Sequence, residues 1–308
     1  MPFSHHSHSG QFCKHAVGSL EEVVLEAVRQ GFEVYGLSEH APRYRTADLY
    51  PEEEGITPED LTSQFELYLA EAHRLKALYA PQIRLLVGLE TEYITTLDLD
   101  SLAALLGRHR GQVEYLVGSV HHVNAIPIDF DLVTFQRAVG SIDGAVTSKD
   151  CAFLCAYFDA QYELLHRFNP EVVGHLDLCR LYNPTLQLSE YPEALERATR
   201  NILYAISYGA LFEINAAALR KNWSTPYPGP ELLQIILQHG GRLTLSDDSH
   251  GPHAVGLNYG RLPEYIQRAG IKELWFLEHS DTPNASGRNV RATRMDQPWA
   301  THSFWTQF

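Results

Sequence analysis

The feature that most constrains the fold of this chain is the alternation of wholly apolar strand-like segments with longer helical patterns. Residues 83–89, which read IRLLVGL, follow an amphipathic pattern over residues 58–79 with Thr57 as a predicted N-cap and Pro58 at the first helical position. Strands that are apolar on both faces and separated by helices are typical of a parallel sheet covered by helices. The pattern therefore predicts an α/β fold.

Seven or eight such units follow one another along the 308 residues, and this number favours a closed barrel over an open sheet. The predicted helices are residues 20–30, 58–79, 99–108, 148–168, 190–208, 229–239 and 262–269. The predicted strands are a short one near residues 2–5 and then residues 33–38, 83–89, 113–120, 171–174, 210–214, 241–245 and 273–277. The last of these is either an eighth strand or an element added to a barrel of seven.

The sequence contains no linker rich in Gly, Ser or Pro, and its 44% hydrophobic residues suffice for a large core. We therefore predict a single domain over residues 1–308. Within it, residues 125–147 lack a periodic pattern and are predicted to form an extended loop. The polar residues from about 284 onward are predicted to form a tail on the surface.

Composition excludes several classes of partner. The chain carries 38 acidic and 24 basic residues, a net charge of −14, which opposes binding to nucleic acid. It has no run of 18 apolar residues, so we expect no membrane-spanning helix. Its polar, His-rich N-terminus is unlike a signal peptide, and its four cysteines lack C-x-x-C spacing, so we predict a cytoplasmic protein with reduced thiols.

Side chains that bind metals follow almost every predicted strand. In an α/β barrel the carboxyl ends of the strands converge on one mouth, where the active site lies. One His at a strand end is more often a capped or solvent-facing residue than a ligand, but here five strands repeat the pattern. Desolvating so many imidazoles and carboxylates without cations would be costly. The residues concerned are Glu39, His40, Glu90, Glu92, His121, His122, His175, Asp177, Asn215, Asp247, Asp248 and His250.

The N-terminal segment adds three more histidines, His6, His8 and His15. His6 and His8 form an H-x-H pair, and on an extended strand both imidazoles lie on one face, about 7 Å apart at the backbone. The pair can therefore close on one divalent ion. An expression tag or a disordered terminus is the alternative, although a tag is usually an unbroken run of histidines.

Mixed imidazole and carboxylate ligands without thiolates suit Zn, Mn or Fe better than Ca or Mg. The number of ligands exceeds the need of one ion, so we predict two or three divalent metal ions. Glu39 and Asp247 are alternatives for orienting ligands rather than binding metal, and His122 and His253 lie near the mouth as weaker candidates.

The ordered set of motifs resembles the polymerase-and-histidinol-phosphatase (PHP) superfamily, and within it the monofunctional histidinol-phosphatase branch. The motifs are HSH with His15, SEH at 38–40, GLE at 88–90, GSVHH at 118–122, VGHLDL at 173–178, EINAAALRK at 213–221 and SDDSH at 246–250. The resemblance implies a distorted (β/α)₇ TIM-like barrel with a trinuclear metal site.

Carried over residue by residue, the resemblance implies three sets of ligands. The first ion would be bound by His6, His8, Glu90 and Asp248, and the second by Glu90 as a bridge with His121 and His175. The third would be bound by His15, His40 and His250. Asp247 is an extra acidic residue before Asp248, and the D-x-H spacing to His250 favours Asp248 as the ligand.

The resemblance also places basic residues over a substrate phosphate. Arg180 and Arg220 match those positions, whereas Arg43 and Lys221 are weaker candidates. The implied activity is hydrolysis of L-histidinol phosphate to L-histidinol and phosphate in histidine biosynthesis. The implied nucleophile is a metal-bridging hydroxide, whose metals are held by His6, His8, Glu90, His121, His175 and Asp248. An acidic rim would suit the cationic end of that substrate, with Glu92 and Asp177 as the residues to test.

The sequence leaves three alternative functions open. Another small phosphomonoester would use the same site. A PHP-type nuclease would use the same metals, although the net charge of −14 opposes it. A non-catalytic, metal-dependent binding protein would predict an incomplete set of ligands, and this set is complete.

Overall fold

The structure is a computed structural model that describes residues 2–142, 148–221, 223–296 and 299–307. The strands in this part are β1 (Phe3–Ser4), β2 (Ser7–His8), β3 (Val34–Leu37), β4 (Arg84–Glu90), β5 (Tyr115–Gly118), β6 (His122–Val123), β7 (Ile126–Pro127), β8 (Val172–Val173), β9 (Leu211–Asn215), β10 (Arg242–Ser246), β11 (Ser249–His250), β12 (Trp275–His279) and β13 (Val290–Arg294). The α-helices are α1 (Leu20–Arg29), α2 (Pro58–Tyr79), α3 (Thr96–Arg108), α4 (Leu132–Gly140), α5 (Lys149–Phe168), α6 (Pro192–Tyr208), α7 (Pro230–Gln238) and α8 (Leu262–Arg268).

Seven parallel strands form the main sheet, in the order β1-β3-β4-β5-β8-β9-β10. Each strand therefore pairs with the next barrel strand along the chain, and a helix lies in every connection. β2 and β11 continue the first and last strands, and they pair in parallel through Ser7 with Ser249 and His8 with His250. The ring is thus closed at its carboxyl end, which confirms the predicted distorted (β/α)₇ barrel.

The junction between β1 and β10 is bridged by a side chain instead of a continuous backbone ladder in the described part. Asp247, just after β10, accepts hydrogen bonds from Ser4 Oγ at 2.7 Å and from the hydroxyl of Tyr35 at 3.1 Å. Its second oxygen also accepts the backbone N–H of Gly256 at 2.7 Å. A buried carboxylate with three donors is well satisfied, so it joins the two ends of the sheet.

Helix α2 shows how local sequence signals become packing. Thr57 and Asp60 form a capping box, in which each side chain accepts the backbone N–H of the other residue. On the buried face, the Tyr68 hydroxyl lies 2.8 Å from the carbonyl of Leu37 and 2.7 Å from that of Gly88, on neighbouring strands. The helix is therefore anchored to the sheet at β3 and β4. Among the described residues, no helix is both long and apolar enough to cross a bilayer.

The ring of Tyr115 on β5 fills the interior of the barrel. A Cβ atom at Gly36 or at Gly88 would overlap this ring, so only glycine leaves room for it on β3 and β4. The Tyr115 hydroxyl donates to the carbonyl of His5 at 2.8 Å, across the barrel. The aromatic ring thus closes the interior below the strand ends and supports the polar residues that follow them.

The antiparallel hairpin β12–β13 packs at the amino ends of the barrel strands. The guanidinium of Arg84, at the start of β4, lies 5.7 Å from the ring centre of Phe276, and that of Arg242, at the start of β10, lies 4.3 Å from Trp275. Arg288 binds Glu171 near the start of β8 at 2.7 Å. The strand predicted at residues 273–277 is therefore an element added to a barrel of seven.

Two sequence-based expectations differ from the structure. The segment predicted as an extended loop over 125–147 contains β7 and α4, while residues 143–147 lie outside the described part. The segment predicted as a polar tail contains β13 and buries Trp299 and Phe304. Short strands and widely spaced aromatic residues give no periodic signal, and for that reason the pattern missed them.

All four cysteines, Cys13, Cys151, Cys155 and Cys179, are free thiols buried in the protein. Cys151 and Cys155 lie one turn apart on α5, where they pack in the helix interface as their spacing suggests.

We predict that Gly88→Ala lowers the free energy of unfolding by about 1–3 kcal/mol, because the new methyl group overpacks the barrel against Tyr115. Gly107→Ala in α3 is the control, since nothing lies within 4 Å of its Cβ position, and it should raise stability by about 0.5–1 kcal/mol. Urea unfolding of both variants measures the difference. Equal effects of the two substitutions would contradict the packing described for Tyr115.

Candidate metal centre

A cavity of about 540 Å³ opens at the carboxyl ends of the barrel strands. Its volume is that of a typical small-molecule site. Eight of the nine predicted metal ligands line it, and the ninth, His6, is buried directly beside them. The eight are His8, His15, His40, Glu90, His121, His175, Asp248 and His250.

Glu90, the last residue of β4, lies at the centre of this group and is 1% exposed. One carboxylate oxygen, Oε1, lies close to three imidazole nitrogens: His6 Nε2 at 3.0 Å, His175 Nε2 at 3.1 Å and His121 Nε2 at 3.3 Å. The other oxygen, Oε2, lies 2.8 Å from His40 Nδ1 and 3.3 Å from His8 Nε2. One carboxylate therefore touches five imidazoles from four segments of the chain.

The spacing of these atoms fits bound cations. Ligands at about 2.0–2.1 Å from a tetrahedral zinc ion are about 3.3 Å from one another. His121 Nε2 and His175 Nε2 are 3.2 Å apart, and the oxygen and nitrogen ligands of His6, Glu90 and His175 all lie within 4.8 Å. His6, His8 and Asp248 form a second group with the same spacing.

Several of the buried atoms that face one another lack a hydrogen bond among the described residues. They include His6 Nε2, His8 Nε2, His40 Nε2 and Glu90 Oε2. A buried polar atom without a partner costs free energy, and lone pairs that converge in this way are satisfied by a divalent ion. The residues present thus fit the metal ions that the motifs imply.

The electrostatics of the site keep its carboxylates ionised. Burial alone would raise the pKa of Glu90, but the neighbouring imidazoles of His6 and His121, in their protonated form, hold that pKa well below its usual range. Burial acts in the same direction on Asp248, and His6 and His250 again outweigh it and depress its pKa. Both groups are therefore in the form that binds metal at neutral pH.

The structure separates the two neighbouring acidic residues after β10. Asp248 lines the cavity, with Oδ1 at 3.8 Å from the Nε2 atoms of both His6 and His8. Asp247 is turned into the barrel wall, and burial raises its pKa to about 6. Asp248 has a positive φ of 47°, which Asp tolerates better than most residues, so the backbone departs here from the extended conformation of β10.

The remaining three predicted ligands form the outer part of the cluster. The ring centres of His15 and His250 are 5.1 Å apart, and those of His15 and His40 are 5.3 Å apart. His8, His40 and His250 can also close on one ion. Cys13 Sγ lies 3.2 Å from His15 Nε2, so this thiol belongs to the same neighbourhood, although the prediction of ligands left it out.

Three buried glutamates surround the imidazoles from outside. Glu92 Oε2 lies 3.0 Å from His121 Nδ1 and 3.3 Å from His122 Nδ1, so His122 contacts Glu92 and does not line the cavity. Glu39 accepts hydrogen bonds from the backbone and hydroxyl of Ser9. The third is Glu213 on β9, 2.9 Å from His6 Nδ1.

Sequence reasoning missed Glu213. The signal was a charged residue inside the otherwise apolar strand ALFEI, residues 210–214, where a buried carboxylate needs a specific partner.

The basic residues predicted over a phosphate take different positions. Arg220 is exposed and lines the cavity, where its Nη2 donates to the Asp248 carbonyl at 3.4 Å. Arg180 lies away from the lining: it donates to Asp177 Oδ2 at 2.8 Å and to the Pro184 carbonyl at 2.9 Å. Its placement differs from the prediction because the buried carboxylate of Asp177 engages its guanidinium.

Arg43, one of the two weaker basic candidates, lies outside the cavity lining. Arg43 is buried, forms an ion pair with Glu53 and lies 4.7 Å from the ring centre of Tyr50. It therefore supports the wall that carries Tyr50. The side chain of Lys221 lies outside the described residues.

The rim of the cavity carries residues that the motifs did not single out. Glu52 and Asp129 are its acidic members, and Tyr50 and Phe130 stack with ring centres 6.1 Å apart. His253 also lines the rim, as expected. Glu92 and Asp177, the carboxylates expected to face the substrate, are instead bound to histidines and to Arg180.

Comparison with known proteins places the chain among relatives of similar length. A family model described as PHP domain matches residues 4–217. A protein of Schizosaccharomyces pombe named probable histidinol-phosphatase is 45% identical over 303 residues, covering 97% of this chain and 96% of its own. The histidinol-phosphatase of Saccharomyces cerevisiae is 35% identical, covering 91% and 92%.

Two solved structures share the fold. A putative histidinol phosphatase of Listeria monocytogenes superimposes with a TM-score of 0.66 at 21% identity, over 84% of this chain and 99% of its own. The histidinol phosphate phosphatase of Lactococcus lactis, solved with zinc, L-histidinol and phosphate, gives a TM-score of 0.64 at 18% identity, over 94% and 98%.

We predict that Glu90→Gln lowers zinc affinity by more than about 100-fold, beyond the loss typical of a residue that only orients a ligand. The amide removes a negative charge and one of the two oxygens that face the five imidazoles. Equilibrium dialysis followed by elemental analysis measures bound metal, and circular dichroism checks the fold. Glu52→Gln, on the rim, is the control and should retain its metal; a Glu90→Gln chain that did the same would refute the shared role of Glu90.

Proposed function

Because the chain belongs to the PHP-domain family, we propose that it is a metal-dependent phosphomonoesterase that hydrolyses L-histidinol phosphate to L-histidinol and phosphate. The observation that carries this proposal is the convergence of five imidazoles on Glu90 at the base of a cavity that Arg220 also lines. The names of the two fungal relatives, which align over nearly their whole length, support the choice of substrate. This reaction belongs to histidine biosynthesis.

Two or three divalent ions, Zn, Mn or Fe, are proposed for the site. His6, His8, Glu90 and Asp248 would hold the first ion, and Glu90, His121 and His175 would hold the second. His15, His40 and His250 would hold the third. When bound, such ions activate water as a nucleophile and neutralise charge on phosphoryl oxygens.

Arg220 is proposed to bind the phosphate group of the substrate. It is exposed at the cavity, and its guanidinium presents several N–H groups that match phosphate oxygens in pairs. Its hydrogen bond to the carbonyl of Asp248 fixes one edge of the guanidinium beside the ligands. Arg220 would thus orient phosphorus over Glu90 and help to stabilise charge that builds up on the phosphoryl oxygens.

Asp129 and Glu52 are proposed to face the cationic end of the substrate. L-histidinol phosphate carries an ammonium group and an imidazole, and both carboxylates lie on the rim of the same cavity as Arg220. The stacked rings of Tyr50 and Phe130 line the same cavity and offer an apolar wall for the imidazole of the substrate. The two ends of the substrate would therefore meet opposite charges within one cavity.

The test of this function is release of phosphate from L-histidinol phosphate, beside a panel of sugar and nucleotide monophosphates and single-stranded DNA, before and after chelation. The proposal predicts a strong preference for L-histidinol phosphate that is lost on chelation and restored by Zn or Mn. Metal-dependent release from other monoesters alone would refute the substrate, and nicking of DNA alone would favour the nuclease. No turnover of any substrate by metal-loaded protein would refute the enzymatic role.

We predict that Asp129→Asn raises KM for L-histidinol phosphate about 3- to 10-fold and leaves kcat nearly unchanged, since a partly exposed carboxylate contributes modestly to binding of a cation. Phenyl phosphate, which has no ammonium group, should show no change in KM. Glu54→Gln, an exposed acidic residue off the cavity, is the control variant. An unchanged KM for L-histidinol phosphate in Asp129→Asn would contradict the proposed orientation.

A further inference from the structure

β9 is the barrel strand that supplies none of the nine proposed ligands, yet it carries a buried carboxylate directly beneath them. Glu213 lies in the middle of β9 and is 1% exposed. Burying a carboxylate is costly unless hydrogen bonds satisfy it, and the partners of Glu213 belong to the metal cluster. The position of this residue thus calls for an explanation other than packing.

Both carboxylate oxygens of Glu213 have defined partners. Oε1 lies 2.9 Å from Nδ1 of His6, which stands between β1 and β2. Oε2 accepts the backbone N–H of His175 at 3.0 Å and the side-chain amide of Asn215 at 3.0 Å. The same amide nitrogen of Asn215 lies 3.3 Å from Asp248 Oδ2. Glu213 and Asn215 therefore connect three proposed ligands that follow three different barrel strands.

The contact between Glu213 and His6 determines which ring nitrogen of His6 carries the proton and which has a lone pair. An ionised carboxylate only accepts hydrogen bonds, so the Nδ1 atom beside Glu213 must carry a proton. In the neutral ring the other nitrogen, Nε2, then has a lone pair, and Nε2 is the atom 3.0 Å from Glu90 Oε1. The carboxylate thus selects the tautomer in which His6 can bind a metal ion.

We propose that Glu213 is a positioning residue of the metal centre: it holds His6 in the metal-binding tautomer and ties that ring to the backbone of His175 and, through Asn215, to Asp248. The inference rests on the proposed function only in that the same centre would perform the reaction. Its main test measures metal binding without substrate.

Glutamine at this position has the same shape but satisfies only part of the network. If the amide oxygen faces His175 and Asn215, the NH₂ group faces His6 Nδ1 and favours the tautomer with a proton on Nε2, which cannot bind metal. If the oxygen instead faces His6, the NH₂ group opposes the N–H donors of His175 and Asn215. Either orientation breaks one side of the connection.

The experiment compares zinc affinity, by chelator competition, in the wild type, Glu213→Gln, His6→Ala and the double variant. We expect Glu213→Gln to lower affinity about 10- to 100-fold, the usual effect of losing a residue that orients a ligand. In the His6→Ala background the same substitution should have almost no further effect, because the ring through which Glu213 acts is absent. If Glu213→Gln acted only by removing a negative charge near the zinc ions, its effect on zinc affinity would persist in the His6→Ala variant.

Glu171→Gln is the matched control. Glu171 is likewise buried and accepts a backbone N–H from a neighbouring strand, that of Leu116 at 2.9 Å, but it lies at the opposite end of the barrel. It should change thermal stability and leave zinc affinity within 2-fold of the wild type, a margin of about 0.4 kcal/mol. Should Glu213→Gln not fold, Glu213→Asp serves as the second variant, whose shorter carboxylate cannot reach His6 and His175 together and should also lose affinity.

Unchanged zinc affinity in folded Glu213→Gln or Glu213→Asp, or equal losses with and without His6, would overturn the inference. These outcomes are separate from a failure of the proposed function, since a chain that binds zinc normally and shows the predicted cycle but ignores L-histidinol phosphate would refute the substrate and keep the role of Glu213.

Discussion

The carboxylate of Glu90 is the constraint on which the rest of the structure depends. Five imidazole nitrogens lie within 3.3 Å of its two oxygens, in a place where it is almost wholly buried. Such a group is stable only when cations or shared protons compensate its charge. Its neighbours come from the segment that follows β1, from the turns after β3 and β5, and from the turn after β8, so these strand ends must all meet at one point.

The barrel meets this requirement through its closure. β2 and β11 pair at the carboxyl end, directly beside the proposed ligands, and this pairing brings His8 next to His250 and Asp248. Lower in the barrel, Asp247 bridges the first and last strands and Tyr115 fills the interior. Two adjacent aspartates therefore have separate tasks, one in the wall and one in the cavity, and the backbone conformation of Asp248 separates them.

The part of the structure that follows local rules could be predicted from the sequence. The alternation of apolar strands and helices predicts the parallel barrel, and the capping residue Thr57 predicts the start of α2. A cluster of polar residues could be predicted because strand ends in such barrels share one mouth, and the resemblance to the PHP superfamily selected nine ligands from it. The structure brings all nine together, and their roles as ligands await the metal-binding measurements.

The features that depend on distant pairing could not be predicted. The position of the Arg180 side chain depends on its hydrogen bonds to Asp177 and to the carbonyl of Pro184. The motif GHLDL does not indicate that the Arg180 guanidinium forms these bonds. Glu213 acquires its role from His6, which lies 207 residues away in the sequence. The placement of the hairpin β12–β13 likewise depends on the folded barrel, because its aromatic side chains pack against Arg84 and Arg242 at the amino ends of two barrel strands.

Anomalous diffraction from crystals of the zinc-loaded protein tests the central claim most directly, because it locates each ion independently of activity. We expect at least two zinc peaks, one on each side of a shared Glu90 carboxylate, with His6, His8 and Asp248 around one and His121 and His175 around the other. A single peak, or peaks that do not share Glu90, would contradict it.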